Sequence, residues 1–154
     1  VVAIEPPGGQ RSRDQGPFSG DVRDPEQSLT YWAYNRAKQS LVLDLDEGGD
    51  LERLEELAAT ADAVVASDGS NADLASLSRK YPHLVTAFIS GFGGTGPKSA
   101  WAASDIINTA ASGTMGITGD RDRPPVRLSL PQTWHFAASD ALGGILLALR
   151  ERES

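Results

Sequence analysis

The feature that most constrains this chain is an alternation. Four short apolar runs, Val1 to Ile4, Ser40 to Leu45, Asp62 to Ala66 and Leu84 to Ser90, are separated by helix-patterned or loop-like segments. Each run has strand length and is closed by Pro, Gly, Asp or Ser, as buried parallel strands are. In the second, Leu41, Leu43 and Leu45 share one face and Val42 and Asp44 the other. After it, Leu51, Leu54, Leu57, Ala58 and Ala61 recur at helical spacing opposite Glu52, Arg53, Glu55 and Glu56, a solvated face. Asp50 is placed to cap that helix, and Asn71 to cap the next, which carries Leu74 and Leu77 and stops before Pro82. Asp105 to Ser112 reads as a third helix ended by Gly113. Strands alternating with helices on short joins predict an α/β fold on a largely parallel sheet with right-handed crossovers. Ligands in such sheets bind beyond the carboxyl ends of the strands, which gathers the loops at 5–9, 66–71 and 90–97.

Two segments stand outside the pattern. Residues 6–28 are rich in Gly, Pro, Arg and Asp with no periodicity, and read as a long loop. Leu29 to Lys38 reads as a short helix or turn. Composition narrows the chemistry. A net charge of −7 disfavours nucleic acid or an anionic membrane as partner. The absence of cysteine removes disulfides, thiolate metal sites and a cysteine nucleophile, and suits a cytoplasmic setting. His83 and His135 are the only histidines, too few for a histidine-rich metal centre, and His83 reads as a surface loop residue. The longest apolar run is far short of the roughly 20 residues that span a bilayer. Val1 opens on a strand already in progress, with no signal peptide before it, and the charged end at 150–154 frays from a helix, so the chain reads as a piece of a longer one.

Three places invite chemistry. Val126 to Leu130 is a basic, β-prone run that leads through Pro131 into a long apolar helix, and a strand-to-helix turn exposes unpaired N–H groups at the positive end of the helix dipole. Gln132, Thr133, Trp134 and His135 occupy that turn. Gly91 to Gly96, GFGGTG, follows a strand and could cradle a phosphate, but it completes neither a dinucleotide fingerprint nor a P-loop, and a tight turn is the alternative. Arg36 and Lys38 could bind a ligand phosphate, the first as a fork and the second as a point charge; the alternative is a solvated pair. Asp105 reads as an N-cap or first-turn carboxylate.

Five stretches in order carry a resemblance: Val1-Val2-Ala3-Ile4-Glu5-Pro6-Pro7-Gly8-Gly9; Asn35-Arg36-Ala37-Lys38-Gln39-Ser40 with Leu43-Asp44-Leu45; Ala61 to Val65; Ile89 to Pro97; and Ser112-Gly113 through Thr118-Gly119 to Pro124-Pro125-Val126. Together they resemble the family III CoA-transferases, the group that includes formyl-CoA transferase and carnitine CoA-transferase. The resemblance covers the whole chain. It implies a Rossmann-like large domain, a mostly parallel sheet with helices on both faces, of which residues 1–154 are a part lacking the first strand and the smaller second domain. It also implies two chains interlocked like rings, or a heteromer with an active member. The implied reaction moves CoA between carboxylic acids, with acyl-CoA as substrate and no permanently bound cofactor.

By the same resemblance, Lys38 matches a CoA-contacting lysine, with Arg36 beside it in the motif. The family's nucleophile is an aspartate whose carboxylate attacks the thioester and forms a mixed anhydride. Aligned from Pro125-Val126 and from the following helix, that aspartate falls on Trp134, which has no carboxylate. Asp140, six residues on, is not an obvious replacement, and one imidazole at His135 does not restore the mechanism. The acid-amide-aromatic triplet that helps frame the CoA pocket is replaced by Ala66-Ser67-Asp68, and a nearby arginine by Ala75. The racemase branch needs a His and an Asp where this chain has Ser104 and Trp134, although Asp105 matches. The expectation is a CoA-transferase whose catalytic residue is unassigned, or else a non-catalytic member serving as the structural half of a tandem or heteromeric enzyme.

Overall fold

A computed structural model describes residues 1–46 and 48–153. It falls into two compact units, Val1–Leu57 and Ala58–Ser154.

In the first unit, β1 (Val2–Glu5) pairs in parallel with β2 (Gln39–Val42), from Val2↔Gln39 to Glu5↔Val42. The second run was expected to extend through Leu45 but leaves the ladder at Val42. The reason lies in its partner. Glu5 is followed by Pro6-Pro7, which carry no N–H, so the last ladder bond is from the Leu43 N–H to the Glu5 carbonyl at 2.9 Å. Leu43 is nevertheless buried, as its alternation predicts. Residues 6–28 are not featureless. They form three single 3-10 turns at Arg11–Asp14, Ser19–Asp21 and Pro25–Gln27, and lead into α1 (Leu29–Tyr34), which Ser28 caps by accepting from the Tyr31 N–H.

Helix α2 (Gly48–Thr60) crosses the boundary between the units and buries Leu54 and Ala58. Asp50 is not its N-cap. It lies within the first turn, and its carboxylate accepts from the Asp44 N–H at 2.6 Å, closing the turn before the helix.

In the second unit, β3 (Ala63–Ser67) pairs in parallel with β4 (Val85–Ile89) over five residues, Ala63↔Val85 to Ser67↔Ile89. Helix α3 (Leu74–Lys80) is capped by Asp73, not Asn71: the chain turns helical two residues later than expected, and Asp73 accepts from the Ser76 N–H at 2.9 Å. Helix α4 (Asp105–Ala111) is capped by Ser104. Helix α5 (Gln132–Arg152) is the longest element at 21 residues, and it packs on β4. Its last turn is clasped by Arg152, which donates to the His83 carbonyl at 2.7 Å and to Asp62 at 2.8 Å. His83 sits in the exposed turn before β4, as expected.

Val126 to Leu130 is not a strand. It runs exposed and pairs with no described strand, between Pro124-Pro125 and Pro131. Strand propensity without a ladder to join does not make a strand. The chain is α/β with parallel pairing in both units, and among the described residues no helix is long and apolar enough to cross a membrane.

Candidate functional site

Four constellations hold the residues that could carry chemistry, one of them unforeseen. In the first unit, Glu5 is 1 % exposed and is the hub of a buried polar network. Arg13 donates to it through Nε at 2.6 Å and Nη2 at 2.9 Å, Tyr31 through its hydroxyl at 2.8 Å, Ser40 through its hydroxyl at 2.6 Å and Gln10 through its backbone N–H at 3.0 Å. The guanidinium also lies 3.9 Å over the Tyr31 ring and donates to Glu26 at 2.9 Å. The Arg13 fork, ahead of the smaller aid of Ser40, Tyr31 and Gln10 and against the cost of burial, holds the Glu5 carboxyl far below the usual carboxylate range. Glu5 in turn raises Arg13, while burial first and the neighbouring Glu5 second raise the Tyr31 phenol. Glu5, Gly8, Gly9, Arg13, Glu26 and Ser40 line a cleft of about 330 Å³. With five donors on one carboxylate, the network is chemically saturated. It pins the long loop to the strand pair.

Sequence reasoning missed this network because Glu5 reads as the polar end of a strand. The available signal was a carboxylate ending an apolar run, followed eight residues on by an arginine.

Arg36 and Lys38 lie on one turn of the same unit. The Lys38 N–H donates to the Asn35 carbonyl at 3.2 Å, and Ala37 between the two cations adopts φ +61°. Lys38 Nζ donates to the Asn35 side-chain oxygen at 3.0 Å, and Asn35 Nδ2 donates to the Tyr31 carbonyl at 3.1 Å. Both cations are exposed, and among the described residues neither makes an ion pair. The turn therefore presents two uncompensated positive charges on a backbone held against α1, a suitable arrangement for phosphate oxygens.

The glycine-rich loop belongs to the second unit. Its glycines answer to backbone geometry: a side chain at Gly91 would collide with the Ala103 Cβ, and Gly93 has φ +86°. The loop runs on through turns to Trp101 and opens no helix at its end, unlike a phosphate cradle. Asp68 joins the two exit loops of this unit by accepting from the Gly91 N–H at 3.0 Å.

The turn at the start of α5 also lies in the second unit. Pro131, at the cap position, offers no side-chain acceptor. The cap comes from Asp105, the first residue of α4. Its Oδ1 accepts from the Thr133 N–H at 3.0 Å and the Thr133 hydroxyl at 2.9 Å, and Arg127 Nη1 stands 4.0 Å from Oδ2. Asp105 was expected as an N-cap or first-turn carboxylate, and it is the second, Ser104 being the cap of α4; its reach to Thr133 across 28 residues was not foreseen. Trp134 follows, 37 % exposed. Asp140 sits two turns on, in a groove of about 530 Å³ between α5 and β4 that is also lined by Phe88, Ala137, Ala141 and Gly144. Among the described residues no cluster of His, Cys, Asp or Glu is arranged to hold a metal ion.

The family described as CoA-transferase family III matches residues 1–154. The chain is 36 % identical over 154 residues to acetyl-CoA:oxalate CoA-transferase of Acetobacter aceti, covering 96 % of this chain and 37 % of that protein. It is 32 % identical over 155 residues to succinyl-CoA:(R)-benzylsuccinate CoA-transferase subunit BbsE of Thauera aromatica, covering 97 % of this chain and 38 % of that subunit. Among solved structures, a CAIB/BAIF family protein of Brucella suis superposes with a TM-score of 0.87 at 29 % identity, over 99 % of this chain and 42 % of that one. The chain thus spans about two fifths of the length of these relatives.

Proposed function

The chain belongs to CoA-transferase family III, and from that premise we propose that it forms part of an enzyme that moves CoA between carboxylic acids, with an acyl-CoA thioester as donor and no permanently bound cofactor. The observation that carries this reading is the unbroken family match over residues 1–154, with relatives named as CoA-transferases aligned along nearly the whole chain. Lys38 and Arg36 are the residues proposed to meet the phosphates of CoA. Their exposed, uncompensated charges on one turn support that role. The start of α5 is the proposed acyl site, because backbone N–H groups at a helix N-terminus stabilise the oxyanion of a tetrahedral intermediate. The setting proposed is cytoplasmic, in an interlocked pair of chains that holds the rest of the large domain and a smaller second domain.

A second reading is favoured by Trp134. At the proposed position of the nucleophile the chain presents an indole, which can form no anhydride. A chain built this way serves as the structural half of a heteromer whose other half supplies the carboxylate. One of the matched relatives is itself named as a subunit.

Trapping separates the two. The purified full-length protein is incubated with acyl-CoA and hydroxylamine. Hydroxamate formation by this chain alone supports the first reading. No hydroxamate, with CoA transfer restored only by a second family member, sinks it in favour of the second. Lys38→Ala should raise the KM for acyl-CoA about tenfold, the loss of one charge-assisted contact. An unchanged KM would remove Lys38 from the site.

A further inference from the structure

The structure places a carboxylate at the start of α5 that belongs to another helix, and we propose that Asp105 is the residue that positions this turn for its substrate, acting through Thr133. The inference rests on the transferase reading above. Helix α5 has no cap of its own, since Pro131 has neither a side-chain acceptor nor an N–H. Asp105 supplies the cap. A single oxygen, Oδ1, takes both the N–H and the hydroxyl of Thr133.

Three consequences follow from that geometry. The turn cannot swing away from α4, because one residue is held by two bonds to the same atom. The Thr133 N–H is used up by that bond, and Trp134 is the next residue along the turn so held. Finally, the Asp105 side chain is only 10 % exposed, so its negative charge acts on the turn with little screening by water. Among the described residues the second oxygen, Oδ2, takes no hydrogen bond, and it has the Arg127 guanidinium 4.0 Å away. The carboxylate is thus an anchor on one side and a fixed charge on the other. Asp105 does not touch the substrate in this scheme. It sets the direction of the turn and the electrostatics of whatever stands at position 134.

The test uses the full-length protein, with any partner with which it is isolated, and two variants. Asp105→Asn keeps an acceptor for Thr133 but removes the charge; Asp105→Ala removes both. Hydrogen exchange read by mass spectrometry over the first turn of α5 should rise about fivefold in Asp105→Ala, the loss of a helix cap, with β3 and β4 unchanged. Asp105→Asn should stay close to wild type. Equal exchange in all three proteins overturns the proposal.

The charge is read separately by placing a carboxylate at the turn. In Trp134→Asp, hydroxamate formation from acyl-CoA is followed against pH, since only the ionised acid attacks the thioester carbon as CoA thiolate leaves and takes up a proton. Adding Asp105→Asn removes a like charge and should lower the pH midpoint by roughly one unit. The other titratable and charged groups on the elements around the turn, Arg127, His135 and Asp140, are the same in both proteins and cancel in the comparison. A midpoint that stays put shows that Asp105 is structural only, and overturns the proposal. No hydroxamate from any variant, with exchange still answering to Asp105→Ala, counts against the transferase reading and leaves the tie in place.

Discussion

Glu5 and Asp105 are both largely buried carboxylates that tie distant parts of the chain together, and they differ in what they have left over. Glu5 receives five hydrogen bonds from four residues, a full complement for two oxygens. Among the described residues Asp105 receives two on its side chain, both from Thr133 and both on one oxygen. The first has an arginine in contact at 2.6 Å, the second an arginine held off at 4.0 Å. A saturated carboxylate fixes the fold around it and has nothing to offer a ligand. One with an oxygen in reserve, at the positive end of a long helix, can act on what binds there. The contrast separates a device of the fold from a device of the site, although both read as ordinary acids in the sequence.

The contrast breaks most visibly at Arg13. Replacing it with alanine leaves the Glu5 carboxylate buried without its cation, and should cost about 3–5 kcal/mol, measured by denaturant unfolding. Arg13→Lys should recover only part of this, since an ammonium cannot match the two-pronged contact. Acid reads the same network. The folded protein holds Glu5 ionised below its ordinary range, so this contribution is complete above the ordinary glutamate value of 4.5 and is lost as pH falls beneath it. Thermal midpoints taken from pH 7 down to pH 3 should fall less steeply in Glu5→Gln than in wild type. Parallel slopes would mean that Glu5 is not the hub described here.

How much of this the sequence disclosed depended on the range of each interaction. Apolar alternation placed all four strands, and helical spacing placed α2, α3 and α4, because those patterns are local. The ends slipped where a partner decides them: β2 stops at Val42 because β1 runs into Pro6-Pro7, and Val126 to Leu130 pairs with no described strand. One cap slipped by two residues, since Asn71 is as plausible to the eye as Asp73, and Asp50 proved to lie inside the helix it was expected to cap. For the candidate site, Arg36 and Lys38 were legible as a motif, and the turn at α5 as a place for chemistry. The link from Asp105 to Thr133 was not, and neither was the network at Glu5. Both join residues whose separation, 28 positions in one case and up to 35 in the other, leaves no periodic trace.

Next in size is Gly91→Ala. A Cβ there would collide with that of Ala103, two residues before α4, and lie 3.4 Å from Asn108 Nδ2. Relief requires the start of α4 to move, and Asp105 with it. The expected loss is about 1–3 kcal/mol, accompanied by faster exchange in the first turn of α5. Stability lost without any change at α5 would show that the Asp105 side of the comparison does not depend on where α4 begins. Asp105→Ala itself should cost only about 1 kcal/mol, the worth of a cap. A loss as large as that of Arg13→Ala would erase the distinction between the two carboxylates.

The smallest effect is expected at Ala37, on the turn that delivers Ser40 to Glu5 and aims Arg36 and Lys38. Its φ of +61° is left-handed, which costs a residue with a Cβ roughly 1–2 kcal/mol relative to glycine. Ala37→Gly relieves that strain but also frees the unfolded chain, which returns about 0.4–1 kcal/mol. The net gain in unfolding free energy should therefore fall between roughly 0 and 1.6 kcal/mol, with its centre below 1 kcal/mol. Glycine also widens the directions open to the two cations, so affinity for acyl-CoA should fall slightly while stability rises. A variant that gains in both would mean that the strained alanine does not aim Arg36 and Lys38. One that gains in stability alone would tie the strain to binding, and would give the Glu5 network a second effect: it anchors, through Ser40, the far end of a turn whose middle is held for a ligand.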